Sequence, residues 1–170
     1  MGAAWLAARV GVLLMGVAGS GKSTVAAELA RRRRTGFLDA DAVHDAEAVD
    51  RMRRGQRLLP AQRDAWIVRL VTALLTHPDA VVACSALKRA HRDRLRAAGA
   101  HPIVWLAVPT DELERRLAQR RGHAVTVSLL ASQLDDLETP SPAEGVIRVD
   151  GSQPLTHVLD DVEGVLDELV

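Results

Sequence analysis

The sequence predicts an α/β fold of three layers, α/β/α, in which helices cover both faces of a five-stranded parallel sheet. Short apolar runs of strand length alternate along the chain with longer segments of helical periodicity. These runs lack the apolar–polar alternation of a half-exposed strand, which is typical of parallel strands that are buried on both faces. The predicted strands are residues 10–15, 35–38, 80–84, 103–108 and 146–149.

Helices are predicted between and after these strands. Pro60 suits the first turn of a helix, and the apolar residues that follow it share one helical face. Asp111 and Glu114 have the spacing of a capping box at the start of another helix. Residues 122–127 break the helical pattern. The predicted helices are residues 22–33, 45–54, 60–77, 88–98, 111–121, 128–137 and 155–169.

The length and composition indicate one soluble domain that spans residues 1–170. The 22 basic and 22 acidic residues leave no formal net charge, so binding to nucleic acid or to a membrane surface is not expected. The apolar run 10–15 leads directly into Gly16, which favours a buried strand over a targeting segment. The single cysteine, Cys84, cannot form an internal disulfide and is expected to be a buried strand residue, which suits a cytoplasmic location.

A glycine-rich loop follows the first predicted strand and matches the Walker A pattern G-x-x-x-x-G-K-[ST] in full. Its glycines allow the backbone amides to turn inward around a polyphosphate, and the helix that follows adds its unpaired N–H groups. We expect Lys22 to reach the β- and γ-phosphates of ATP and Ser23 to bind Mg²⁺. The loop predicts a P-loop NTPase fold, and the expected nucleotide-binding residues are Gly16, Val17, Ala18, Gly19, Ser20, Gly21, Lys22, Ser23 and Thr24.

Two carboxylates stand at the end of the second predicted strand. Asp39 and Asp41 are two residues apart, so in an extended segment both side chains point to the same side. Ligands of α/β folds bind at this edge of the sheet, which favours a functional role. The alternative is a solvated loop whose carboxylates cap a helix. Ser85 follows the third predicted strand, where a Walker B motif would have an aspartate. Asp39 is therefore the candidate for the role of that aspartate.

Further segments resemble those of bacterial gluconokinases, which are P-loop small-molecule kinases related to shikimate kinases. The most specific are CSALKRAHRDRLR and SLLASQLDDLE, and together the segments cover nearly the whole chain in order. They are residues 37–44 (FLDADAVH), 55–66 (GQRLLPAQRDAW), 84–96 (CSALKRAHRDRLR), 120–123 (RRGH), 128–138 (SLLASQLDDLE) and 149–154 (VDGSQP).

The resemblance implies ATP- and Mg²⁺-dependent phosphorylation of D-gluconate to 6-phospho-D-gluconate, which feeds the pentose phosphate route, by a homodimer. It also implies a small helical lid at about residues 120–137, whose Arg120 closes over the phosphates. By analogy with shikimate kinases, Asp39 orients Mg²⁺ through water and Asp41 orients the acceptor hydroxyl or accepts its proton.

A pocket for an anionic, hydroxyl-rich acceptor needs cations and hydrogen-bonding groups. His44, Arg63 and Lys88 are the candidates beside Asp41. Lys88 is predicted at a helix start, where a positive charge opposes the helix dipole, so a ligand is expected to compensate it. The alternatives are a capping or surface histidine and a solvated lysine. Trp66 is expected in the core.

The sequence departs from the gluconokinase pattern mainly on the acceptor side. These departures keep open a kinase of the same fold that acts on another sugar acid or polyol, and a non-catalytic nucleotide-binding switch is the third alternative. Arg116 shares a helix face with Arg120 and is expected to be solvated. The departures are Asp45, Ala48, Arg57, Pro60, Gln62, His91 and Ala124.

Overall fold

A computed structural model describes residues 11–100, 102–119 and 123–169 of the chain. The five predicted strands are present and form one sheet in the order β2-β3-β1-β4-β5, with every neighbouring pair parallel. The strand that precedes the glycine-rich loop is therefore central. The strands are β1 (Val12–Met15), β2 (Phe37–Asp39), β3 (Val81–Cys84), β4 (Ile103–Ala107) and β5 (Ile147–Asp150).

The described helices follow the strands as the periodicity predicts. They are α1 (Lys22–Arg33), α2 (Ala46–Arg53), α3 (Pro60–Thr76), α4 (Arg89–Ala97), α5 (Thr110–Ala118), α6 (His123–Asp136) and α7 (Leu155–Glu168), with 3₁₀ turns at Ala40–Val43 and Pro142–Glu144. Within the described part of the chain, no helix combines the length and the apolar character that crossing a bilayer requires.

The sheet is covered on both faces, so the predicted three-layer arrangement is confirmed. Successive residues of β1 point to opposite faces, as the two-residue period of a strand requires. Val12 and Leu14 pack in one core with α1 and α7, whereas Leu13 and Met15 pack in another with α3 and α4. Strands that are buried on both sides explain why the apolar runs in the sequence are continuous.

Two local predictions are wrong. The helical pattern was expected to break over residues 122–127, but α6 begins at His123. β-branched residues such as Val125 and Thr126 lower helix propensity by only a few tenths of a kcal/mol, roughly, so propensity alone does not stop a helix. The predicted capping box is absent because α5 begins at Thr110 after Pro109, which places Asp111 inside the first turn, where its charge complements the helix dipole.

The turn between β3 and α4 has an unusual backbone that a buried arginine holds. Ala86 has a φ of 45°, in the left-handed region that a Cβ disfavours, and its side chain is buried. Arg92 is fully buried and donates hydrogen bonds to the Ala86 and Leu87 carbonyls at 3.1 and 2.9 Å. Glu144 accepts from Arg92 Nε at 2.7 Å, which neutralises the buried charge.

Replacing Arg92 with Met is expected to lower the free energy of unfolding by roughly 3–5 kcal/mol, because Glu144 is left as an unpaired buried carboxylate. The Arg92 guanidinium holds the pKa of Glu144 at about 2. The stability that Glu144 contributes is therefore present above its usual pKa of about 4.5 and is lost as the pH falls towards 2. Urea denaturation of the wild-type protein and of the Arg92→Met variant between pH 7 and pH 3 measures the loss of stability and its pH dependence.

Arg94 provides the matched control, because it is an exposed arginine on the same helix whose ion pair with Asp64 lies on the surface. Its change to Met is expected to cost less than about 1 kcal/mol. A loss of similar size in the Arg92 and Arg94 variants would contradict the role given to the buried pair.

Candidate active site

The glycine-rich loop connects the central strand β1 to α1, at the carboxyl edge of the sheet where α/β folds bind ligands. Gly19 and Gly21 have φ values of 84° and 87°, which only glycine adopts readily. A Cβ on Gly16 would lie 2.5 Å from Ser20 Oγ, so this position also excludes larger residues. The loop backbone is therefore set by its glycines.

The loop leaves its polar groups available to an anion. Helix α1 begins at Lys22 with no side-chain cap and no acidic residue in its first turn. Lys22 Nζ lies 3.4 Å from the Val17 carbonyl, over the loop. Ser20 Oγ is buried and lacks a hydrogen-bond partner in the described part of the chain. Unpaired amides, an ammonium group and a buried hydroxyl together fit a polyphosphate.

The two aspartates do not lie in one extended segment as predicted. Asp39 ends β2, and its carboxylate accepts a hydrogen bond from the Asp41 amide at 3.0 Å. Asp41 belongs to the 3₁₀ turn that follows, so strand alternation does not set its direction. The local hydrogen bond explains the error, because an aspartate side chain competes readily for a nearby backbone amide. Asp39 thus caps the turn while Asp41 lines a cleft.

Helix α3 fixes the turn that carries Asp41. Trp66 is buried, as predicted, and its indole N–H donates to the Ala40 carbonyl at 2.7 Å. Arg69 donates to the Val43 carbonyl at 2.7 Å. The His44 ring stacks on Trp66 with a centroid distance of 4.9 Å and an interplanar angle of 8°. The packing of α3 thereby positions both Asp41 and His44.

A cleft of about 90 Å³ lies where the segments that follow β2 and β3 meet the end of α6. Four predicted acceptor residues line it together, although they come from three separate segments of the chain. The predicted side chains at this cleft are Asp41, His44, Arg63 and Lys88, and Trp66 and His91 form part of its wall.

The two predicted cations of the cleft are already paired in the free protein. Lys88 precedes the first residue of α4, as predicted, and its ammonium lies 3.6 Å from Glu138 and 3.8 Å from Asp136. Arg63 Nη2 lies 3.0 Å from Asp136 Oδ2. Asp136 at the end of α6 and Glu138 just after it therefore compensate the charge of Lys88, for which a ligand was predicted.

Gln133 joins the nucleotide loop to the cleft. Its side-chain oxygen accepts a hydrogen bond from the Ala18 amide at 2.6 Å, and the same residue lines the cleft. No role was predicted for Gln133, although it lies in the segment SLLASQLDDLE, which resembles gluconokinases. The resemblance marks the segment but does not reveal that Gln133 contacts Ala18, which is 115 residues away in the sequence.

Arg116 contradicts the prediction of a solvated helix face. It donates to the Gly151 carbonyl at 2.9 Å and to the Gly19 carbonyl at 3.4 Å, and it pairs with Glu112 at 2.7 Å. Arg115 and Arg116 together lower the pKa of Glu112 to about 2. Arg116 therefore ties the glycine-rich loop to the turn after β5. Arg120, its predicted companion, lies outside the described residues.

Most described departures from the family pattern have local structural roles. The Asp45 carboxylate caps α2 by accepting from the Ala48 amide at 2.8 Å, and Ala48 is buried. Pro60 opens α3, and Gln62 accepts from the Leu59 amide at 3.0 Å. Arg57 and His91 differ, because they line the cleft.

The residues predicted to bind a metal are Ser23 and Asp39. Ser23 lies in the first turn of α1 and Asp39 at the end of the second strand. In the described part of the chain, no group of three or more His, Cys, Asp or Glu side chains could enclose a metal ion. The hydroxyl of Ser23 and a carboxylate at the same edge of the sheet are nevertheless oxygen ligands of the kind Mg²⁺ takes, since that ion keeps several waters and also binds phosphate oxygens.

Cys84 is a buried free thiol at the end of β3. Burial, with smaller contributions from Asp41 and Asp39, raises the pKa of Cys84 to about 12, although a backbone hydrogen bond at Ala86 and the charge of Lys22 oppose the shift. Cys84 is therefore an unreactive core residue, as predicted.

His44 is held in its neutral form. Burial lowers its pKa, and nearby Arg69 lowers it further, although Asp41 opposes both. Its Nε2 lies 3.9 Å from Asp41, and its buried Nδ1 lacks a hydrogen-bond partner in the described structure. A neutral ring with an unused nitrogen offers a hydrogen bond, not a positive charge, to a ligand in the cleft.

Changing His44 to Phe is expected to reduce the loss of stability on acidification while keeping the stacking on Trp66. Because the pKa of His44 is lowered in the folded state, its contribution is present above about pH 6.5 and is lost as the pH falls through the folded pKa. Urea denaturation at pH 7 and pH 5.5 tests this. The change of exposed His157 to Phe is the control, and equal pH dependence in both variants would contradict the assignment.

Comparison with known proteins shows which families and structures the chain resembles. Residues 12–140 match a family described as an AAA domain. A gluconokinase of Gluconobacter oxydans (strain 621H) is 40% identical over 157 residues, which cover 89% of this chain and 88% of that protein. The crystal structure of a gluconokinase from Sinorhizobium meliloti 1021 superposes with a TM-score of 0.85 at 34% identity, covering 95% of this chain and 93% of the other.

A shikimate kinase from Bacteroides thetaiotaomicron shares the fold, with a TM-score of 0.72 at 16% identity over 93% of this chain and 98% of the other. The P-loop kinase fold predicted from the sequence is thereby confirmed. Together with the glycine-rich loop and the adjoining cleft, the extended identity to gluconokinases is decisive: the chain belongs to the gluconokinase family.

Proposed function

We propose that the protein transfers the γ-phosphoryl group of ATP to the 6-hydroxyl of D-gluconate and releases 6-phospho-D-gluconate and ADP. One observation carries this function: a cleft that contains Asp41, His44, Arg63 and Lys88 adjoins a phosphate loop and is linked to it through Gln133. Phosphoryl transfer requires little more of a protein than this, because positioning and charge stabilisation supply most of the rate enhancement.

Different residues act on the acceptor and on the phosphates of ATP. The acceptor oxygen attacks the γ-phosphorus, the bond from that phosphorus to the β–γ bridging oxygen breaks, and ADP leaves with the bond's electron pair. Asp41 accepts the proton of the acceptor hydroxyl. Lys22 and the loop amides hold the phosphates and balance the charge that spreads over the γ-phosphoryl oxygens. His44 and Arg63 hold the acceptor, with Lys88 beside them.

Ser23 and Asp39 are the side chains that would hold Mg²⁺, with Asp39 acting through water. The ion supplies charge neutralisation across the β- and γ-phosphates when it is bound. Asp39 supports this role because its carboxylate already faces the amide of Asp41. The hydrogen bond leaves the other carboxylate oxygen available to a metal-bound water.

The remaining assignments follow the same proposal. Arg120 closes over the phosphates from a small helical lid at about residues 120–137, within a single domain of residues 1–170. The working enzyme is a cytoplasmic homodimer. The exposed apolar residues Val68 and Leu75 on α3 are compatible with a subunit contact, since such side chains are less costly when a partner covers them.

An acceptor other than gluconate remains the second candidate. Arg57 favours it, because it places a guanidinium at the cleft where the family pattern has proline. Another sugar acid or a polyol would then be phosphorylated faster than gluconate. A non-catalytic switch would bind nucleotide without acceptor turnover, and a cleft that contains both Asp41 and Lys88 gives such a switch no advantage.

We expect the purified protein to release ADP in the presence of ATP and Mg²⁺ only when gluconate is added. A coupled ADP assay with a panel of acceptors measures this, and it includes other sugar acids and neutral polyols. Gluconate should give the highest kcat/KM of the panel. Faster turnover of another acceptor would replace gluconate as the substrate, whereas nucleotide binding without any turnover would favour the switch.

Two variants test the division of labour. Lys22→Ala is expected to abolish turnover while it changes the free energy of unfolding by less than about 1 kcal/mol, because the ammonium serves the phosphates and not the core. Asp41→Asn is expected to lower kcat by about 10²- to 10⁴-fold with little change in nucleotide affinity, since the proton acceptor is lost. Steady-state kinetics and calorimetry with an ATP analogue measure both.

The matched control for Asp41 is Asp50→Asn, which removes an exposed carboxylate on α2 that pairs with Arg54. It should retain wild-type kinetics. Near-normal kcat in Asp41→Asn would remove Asp41 from the chemical step, and activity in Lys22→Ala would remove Lys22 from phosphate binding.

A further inference from the structure

The wall that the end of α6 contributes to the acceptor cleft contains a carboxylate that the proposed reaction does not use. Asp136, the last residue of α6, lines the cleft, and its side chain is 15% exposed. It contacts three cations at once. The nearest distances are 3.0 Å to Arg63 Nη2, 3.6 Å to Arg57 Nη1 and 3.8 Å to Lys88 Nζ.

Two of these cations also contact a second carboxylate. Arg57 lies 3.2 Å from Asp135, and Lys88 lies 3.6 Å from Glu138. Asp136 and these neighbours therefore form a cluster of three positive and three negative side chains, and its cations have no excess charge to offer to an anionic acceptor. A pocket that binds a sugar acid would be expected to carry such an excess.

Asp136 differs from the other two carboxylates in its position. Asp135 is 74% exposed, and Arg57 is its one ion-pair partner among the residues that the structure describes. Glu138 is 51% exposed and also accepts a hydrogen bond from the Arg89 amide at 2.7 Å, which fixes it to the start of α4. Of the three, only Asp136 lines the cleft and contacts both predicted acceptor cations, Arg63 and Lys88.

An acceptor carboxylate that approaches these two cations meets Asp136 on the same groups. Two like charges that share a site disfavour each other, and partial burial reduces the screening by water. A neutral polyol meets no such repulsion and can instead donate its hydroxyl protons to the carboxylate oxygens of Asp136.

We propose that Asp136 is a specificity-determining residue of this enzyme: it acts as a built-in counter-ion of Arg63 and Lys88 that an acceptor carboxylate must displace or share. It lowers the affinity for anionic acceptors relative to neutral polyols. Arg57, which replaces the proline of the family pattern, adds a third cation that holds Asp136 in this place. The inference rests on the proposed function, because it concerns the acceptor cleft of that reaction.

The test compares Asp136→Asn, which keeps the shape and removes the charge, with the matched control Asp135→Asn. KM and kcat are measured at saturating ATP for gluconate and for glucitol, its neutral counterpart. We expect Asp136→Asn to lower the KM for gluconate about five- to tenfold while kcat changes less, and to leave the KM for glucitol unchanged or raised. Asp135→Asn should stay within about twofold of wild type.

An unchanged or raised KM for gluconate in Asp136→Asn would overturn the proposal, since Asp136 would then position Arg63 and Lys88 or bind hydroxyls. An equal fall in both variants would overturn it as well. Calorimetric titration of gluconate into each protein with a non-hydrolysable ATP analogue separates this outcome from failure of the proposed function. If wild type does not turn over gluconate, tighter gluconate binding by Asp136→Asn alone still supports the proposal, and its absence rejects it.

Discussion

The buried ion pair between Arg92 and Glu144 holds the turn after β3, and the acceptor cleft is built around that turn. Ala86 occupies a backbone region that costs a residue with a Cβ about 1–2 kcal/mol, and the two hydrogen bonds from Arg92 to the turn carbonyls keep it there. The Leu87 carbonyl also accepts from the Glu138 amide at 2.9 Å. The segment just after α6 therefore docks on the same turn that places Lys88.

Helix α6 connects this acceptor side to the nucleotide side. Gln133 accepts the Ala18 amide of the glycine-rich loop, and Leu130 packs with Val17 of the loop and Leu117 of α5. One helix thus supports the phosphate loop and contributes Asp136 to the cleft. A kinase must keep water from its phosphoryl group until the acceptor is present, and a shared element is a direct way to couple the two sites.

The charged side chains of the cleft are largely paired, and its histidines are neutral near pH 7. Burial lowers the pKa values of His44 and His91, so both rings are neutral near pH 7, and carboxylates of α6 and the adjoining Glu138 pair with the cations. The cleft therefore presents hydrogen-bonding groups and ion pairs, not an excess of positive charge. The buried ion pair below the turn is set apart from this exchange, because it is closed to solvent.

Much of the fold was predictable because its causes are local. Apolar runs located the five strands, and glycines, prolines and helical periodicity located most helices within a few residues. The phosphate loop was predictable because glycine, lysine and serine must occur in fixed order for its geometry. Asp41, His44, Arg63 and Lys88 were also found in the sequence, and the structure brings them into one cleft.

The sequence by itself determined the alternating architecture and the phosphate loop, since both depend on residues that are close along the chain. Tertiary structure alone decided the roles of Arg92, Gln133, Arg116 and Asp136. The partners of Arg92 and Gln133 are 52 and 115 residues away, and hydrogen bonds and charge act over distance in space. In a chain rich in arginine, composition cannot separate a buried or paired guanidinium from a solvated one, because only its surroundings in the folded protein distinguish them.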